Sequence, residues 1–89
     1  MQTTLPTSTL GLIAGEGEFP GLVLAGAKRA GLRVVVVGLR GCCSDEVREA
    51  ADVYHEAGIA RLGRWIRIFR NERVDRAIMA GRVKKSQMF

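Results

Sequence analysis

At 89 residues the chain has room for one domain and no more. Its 47% apolar and 26% charged content exclude disorder, and no stretch approaches the roughly 18 apolar residues of a membrane span. The net charge of +5 is uneven: residues 61–89 carry nine Lys/Arg against two Asp/Glu, net +7, while residues 1–60 carry five against seven, net −2. A basic end of this kind suits phosphates, an anionic membrane or nucleic acid, and a solvated helix face explains most of it equally well.

Met1–Ser8 reads as a loose polar leader, with no basic stretch ahead of an apolar one, so a cytoplasmic location is expected. Thr9–Ala14 is short, apolar and followed by Gly15, the pattern of a buried parallel strand. The turn Gly15-Glu16-Gly17-Glu18-Phe19 leads to Pro20, which suits the first turn of a helix. That helix is expected to run to about Ala30 and to present Val23, Gly26, Ala27 and Ala30 to a sheet. Leu32–Val37 is the clearest strand, its four valines implying burial on both faces. Adjacent Cys42 and Cys43 match no zinc or redox spacing and read as reduced thiols in a loop. Ser44 and Asp45 can cap a short helix through about Ala50, and Asp52–His55 is a weaker third strand.

A second long helix is expected over about Ala60–Glu72. On a helical wheel Trp65, Ile66 and Phe69 fall within about 60° of Leu62, which makes them the core stripe and leaves Ile68 outside it. Trp65 and Phe69 read as packing residues, not base-stacking ones, and Arg61, Arg64, Arg67 and Arg70 spread over the opposite side. Arg76–Ala80 is the fourth strand, ending at Gly81. The β-α-β-α-β-α-β alternation predicts an α/β fold: a Rossmann-like three-layer sandwich with a four-stranded parallel sheet. Right-handed crossovers favour the order 3-2-1-4, with residues 9–85 as the domain and 86–89 as the start of a linker.

In that order the winding reverses between the first and fourth strands, and ligands bind at such a switch point beyond the carboxyl ends. Two loops meet there, Gly15–Pro20 and Gly81-Arg82-Val83-Lys84-Lys85. The first opens on a helix N-terminus, which attracts anions; the second supplies three cations. The candidate binding residues are therefore Gly15, Glu16, Gly17, Gly81, Arg82 and Lys84, a phosphate cradle. The same loops also read as plain strand-exit turns. Gly15-x-Gly17-x-x-Pro20 lacks the third glycine of a dinucleotide fingerprint, and no acid ends the second strand; Arg40 there could meet the 2′-phosphate of NADP. Glu16 and Glu18 could help hold a divalent metal or simply be solvated. His55, with no second His and no Cys nearby, reads as a packed or surface imidazole. No P-loop, nucleophile elbow, metal box or helix-turn-helix signature is present.

Four patterns occur in one order: Leu10-Gly11-Leu12-Ile13-Ala14-Gly15-Glu16-Gly17-Glu18-Phe19-Pro20, the Val34–Val37 strand, Arg61-Leu62-Gly63-Arg64-Trp65-Ile66, and Met79-Ala80-Gly81-Arg82-Val83-Lys84. Together they resemble the N-terminal domain of the LpxI-type UDP-2,3-diacylglucosamine pyrophosphatases, over roughly Leu10 to Lys85. The resemblance implies a cytoplasmic hydrolase of lipid A synthesis, peripheral at the inner membrane, which yields UMP and 2,3-diacylglucosamine 1-phosphate. It implies Mg2+ or a similar divalent cation, bound mainly by a C-terminal domain that also holds the catalytic acids. Nothing in the sequence matches that domain, so a fragment with no catalytic residue of its own is expected. Glu16 departs from the family, whose turn usually reads Gly-Asn-Gly. Two other readings stand beside this one: a non-catalytic nucleotide- or anion-binding module, and a basic nucleic-acid domain, which is disfavoured because the basic loops carry no interleaved aromatics. Exposed sheet edges also point to self-association or docking on the missing domain.

Overall fold

The computed structural model describes residues 8–83. They form β1 (Thr9–Ala14), α1 (Phe19–Arg29), β2 (Arg33–Leu39), α2 (Asp45–Ala50), β3 (Val53–Ala57), α3 (Leu62–Asn71) and β4 (Arg76–Ala80). The four strands are parallel in the order β3-β2-β1-β4, the expected α/β architecture. Lys84, Lys85 and the expected linker at 86–89 lie outside the described residues.

The central strands β1 and β2 are buried on both faces because they alternate no polar side, whereas β4 at the edge is exposed over Arg76–Met79. Leu10, Leu12, Ala14, Val34 and Val36 point to one face, against Leu24 and Ala27 of α1 and Val47 of α2. Val35, Val37 and Leu39 point to the other, against Trp65 and Ile68 of α3. The helices thus change face after β3, which is the reversal of winding that β1 and β4 flank. Ser44 caps α2 through its hydroxyl, which accepts from the Val47 N–H at 3.3 Å.

Both long helices are rotated from the sequence expectation. On α1 the buried residues are Pro20, Leu24 and Ala27, while Ala30 is exposed. Leucine removes more apolar area from water than alanine, so the helix turns to bury Leu24. On α3 the buried pair is Trp65 and Ile68, whereas Leu62 and Ile66 are 58% and 49% exposed. Two contacts set that rotation. The Trp65 indole N–H donates to the Gly58 carbonyl at 3.2 Å, and the Phe69 ring fills the space over Gly11, where a Cβ would stand 2.9 Å from Cε1. β2 and β3 each run two residues beyond their expected ends, so His55 sits mid-strand opposite Val37, half-buried, and not at the rim.

At the rim where the strands begin, Asp52 joins three elements. Its carboxylate accepts from Lys28 Nζ of α1 at 2.6 and 2.7 Å and from the Val34 N–H of β2 at 2.7 Å. The lysine contact first, and the amide second, hold its pKa below the usual carboxylate range. Arg33 pairs with Glu72 at 2.7 Å, tying β2 to the end of α3.

Candidate functional site

The carboxyl ends of β1 and β4 are sewn together by backbone. Gly15 N–H donates to the Ala80 carbonyl at 2.9 Å, and Glu16 and Arg82 exchange both bonds of an antiparallel bridge, at 2.7 and 2.9 Å. The bridge needs two glycines. A Cβ on Gly15 would lie 2.5 Å from the Arg82 carbonyl oxygen, and Gly81 turns at φ +98°, a region that side chains rarely adopt. Sequence placed glycine at the head of each loop for ligand approach; here the close approach is of one loop to the other.

Beside this bridge lies a cleft of about 570 Å³ lined by Glu16, Gly17, Glu18, Phe19, Leu22, Gly81 and Arg82. Of the residues singled out from sequence, Glu16, Gly17, Gly81 and Arg82 line it. Gly15 is buried beneath, its N–H taken by Ala80, and Lys84 falls outside the described residues. Arg82 reaches over the glycine turn, its Nη2 at 3.9 Å from an ideal Cβ on Gly17. The N-terminus of α1 opens on the same side without a side-chain cap; Pro20 brings no N–H and the Leu22 N–H donates to the Glu18 carbonyl at 3.2 Å, so its pull on an anion comes mainly from the helix dipole. Because the Glu16 and Arg82 amides serve the bridge, an anion here would meet the guanidinium and the helix terminus, not a continuous nest of backbone N–H.

The cleft also has an apolar lip that sequence reading passed over: Phe19 is 67% and Leu22 62% exposed. The signal was present, since both lie at the start of α1 outside its buried stripe. Glu16 and Glu18 add negative charge. Among the described residues no group of three His, Cys, Asp or Glu is placed to hold a metal ion. Glu16 and Glu18 are the carboxylates the cleft itself would offer the divalent cation implied by the resemblance.

The family model of the LpxI N-terminal domain matches residues 9–89. The chain belongs to the LpxI family. Neither a curated protein nor a solved structure matches it. Within this LpxI domain a hollow between α1 and α2 adjoins the cleft and shares Gly17, Glu18 and Leu22 with it. Another of about 230 Å³ lies where the strands begin, lined by Ser8, Thr9, Leu10, Leu32, Asp75 and Arg76, at the rim opposite to that on which parallel sheets take ligands. Cys42 and Cys43 are free thiols after β2, and burial pushes the Cys43 pKa up, which leaves it a poor nucleophile. Among the described residues no helix is long and apolar enough to cross a membrane.

Proposed function

We propose that this chain is the substrate-binding domain of a UDP-2,3-diacylglucosamine diphosphatase of lipid A biosynthesis, an enzyme that hydrolyses its substrate to UMP and 2,3-diacylglucosamine 1-phosphate. The observation that carries this reading is the Glu16–Arg82 bridge. It ties the strand exits where winding reverses, so that a guanidinium, an uncapped helix terminus and an apolar lip border one cleft. Arg82 would donate paired N–H bonds to the diphosphate oxygens. Phe19 and Leu22 would cover an apolar part of the lipid-sugar or the uracil. Attack of water is assigned to acidic groups of a C-terminal domain, which would also hold the divalent cation, at the inner-membrane face of the cytoplasm.

Calorimetric titration of the full chain with a UDP-sugar, whose diphosphate is esterified at both ends, tests the binding role. The UDP-sugar is expected to bind, and Arg82→Gln to weaken it about tenfold, the ordinary worth of a hydrogen bond to a charged group. UDP-sugar affinity that Arg82→Gln leaves intact would show that the cleft is not the diphosphate site.

A further inference from the structure

Beyond the exits of β2 and β3 lies a second groove, of about 590 Å³, that shares no lining residue with the cleft at Arg82. Four arginines line it: Arg40 after β2, Arg61 before α3, and Arg64 and Arg67 on α3. The only acid in its wall is Glu56, so the lining carries a net +3. Among the described residues none of the four arginines forms a salt bridge. Their placement opposes ordinary helix electrostatics. Arg61 and Arg64 crowd the positive end of the α3 dipole, where acidic residues belong and where the first turn has none. Arg64 and Arg67 stand three apart on one helix, as do Arg67 and Arg70, a spacing at which like charges repel. A row of arginines held together against repulsion, in a concavity and not on a convex face, is relieved by an anion.

We propose that this groove binds the terminal phosphate or diphosphate of a small molecule, its two to three negative charges matched to the lining. Volume and shape favour a small ligand over a bilayer or a duplex, since pockets of a few hundred Å³ enclose small molecules. The planar guanidinium fork takes two phosphate oxygens at once, which a lysine cannot do. The four arginines outweigh Glu56 in the lining and so disfavour a cationic occupant. The site stands on its own residues, roughly 10 Å along the sheet from the Arg82 cleft at ordinary strand spacing, and does not depend on the function proposed for that cleft.

The protein reports on this groove by itself. Trp65 is its only tryptophan, and the indole N–H is bonded to the carbonyl of Gly58, a groove residue. Titrating the full chain with pyrophosphate at low salt is expected to change Trp65 emission saturably, with the affinity falling as salt rises. The double variant Arg64→Gln/Arg67→Gln should weaken binding by roughly a hundredfold, about tenfold for each arginine, while Arg82→Gln leaves the Trp65 titration unchanged. The double variant without ligand should melt no lower than the parent, because repulsion has been removed. Four results would overturn the proposal: no heat and no emission change up to millimolar pyrophosphate; an affinity indifferent to the double variant; an affinity lost with Arg82 instead; or tighter, arginine-dependent binding to phosphatidylglycerol vesicles or duplex DNA. A double variant that melts well below the parent counts against it too, since the arginines would then be structural.

Discussion

Gly15→Ala tests whether the bridge between the strand exits is a fixed part of the fold. The new Cβ would stand 2.5 Å from the Arg82 carbonyl oxygen and 3.0 Å from that residue's C and N. All three are backbone atoms, so no side chain can swing aside, and the β4 exit must retreat. Retreat breaks the two Glu16–Arg82 bonds of 2.7 and 2.9 Å. Two backbone hydrogen bonds at about 1 kcal/mol each, with about 1 kcal/mol or more of overpacking, make a loss of about 3 kcal/mol. In a domain of this size that lowers Tm by about 12–24 °C. Thermal melts followed by circular dichroism measure it, with Gly63→Ala as the control. Gly63 lies in α3 with nothing within 4 Å of an ideal Cβ, so alanine there should stabilise the helix by about 0.8 kcal/mol and raise Tm by a few degrees. Gly15→Ala melting within a few degrees of the parent would mean that the loops part without cost, and the cleft would have no fixed wall.

Two further changes examine the packing and the ion pairs. Ile68→Ala should cost about 2–4 kcal/mol in urea unfolding and Ile66→Ala less than about 1, since the first is 8% exposed and the second 49%; the reverse ranking would restore the wheel's stripe and refute the observed rotation of α3. Asp52 has a lowered folded pKa, so its contribution to stability is present above the ordinary carboxylate value of about 3.9 and is lost as pH falls through the folded value. The urea midpoints of the parent and Asp52→Asn should therefore differ near neutrality and converge below about pH 4; a gap that stays constant into acid would show that the Lys28 pair contributes nothing.

Alternation of apolar runs with helix signals was enough to recover every element and the order β3-β2-β1-β4, because a chain this short with buried valines has few ways to close a parallel sheet. The bounds of β1 and β4 were readable since glycine follows each. Rotation of α3 was not, because it turns on two tertiary contacts, Trp65 to Gly58 and Phe69 over Gly11, that no wheel contains. The candidate site divides in the same way. That Gly17, Gly81 and Arg82 lie beside one another followed from the switch point alone, whereas pairing of Glu16 with Arg82 joins residues sixty-six apart and removes amides that the sequence offers a phosphate. The arginines at 61, 64 and 67 read as a solvated face because spacing carries no information about the concavity that the ends of β2 and β3 build beneath them.

The cleft at Arg82 and the arginine groove, both on the carboxyl rim, differ most in charge, and that difference bears on what each can hold. Around Arg82 the guanidinium shares its cleft with Glu16 and Glu18 and with the apolar surface of Phe19 and Leu22. A free phosphate, with about two charges on one phosphorus, would meet carboxylates there as well as one arginine. A diphosphate esterified at both ends spreads about one charge over each phosphorus and brings organic groups for the lip, so it suffers less of the repulsion and gains the apolar contact. The Arg40–Arg61–Arg64–Arg67 groove has the opposite balance and no such lip, which favours the concentrated charge of a terminal phosphate. A rim built this way sorts phosphates by charge density, and the sorting has a direct signature: a UDP-sugar, esterified at both ends, should depend on Arg82 more than on Arg64 and Arg67, and pyrophosphate the reverse.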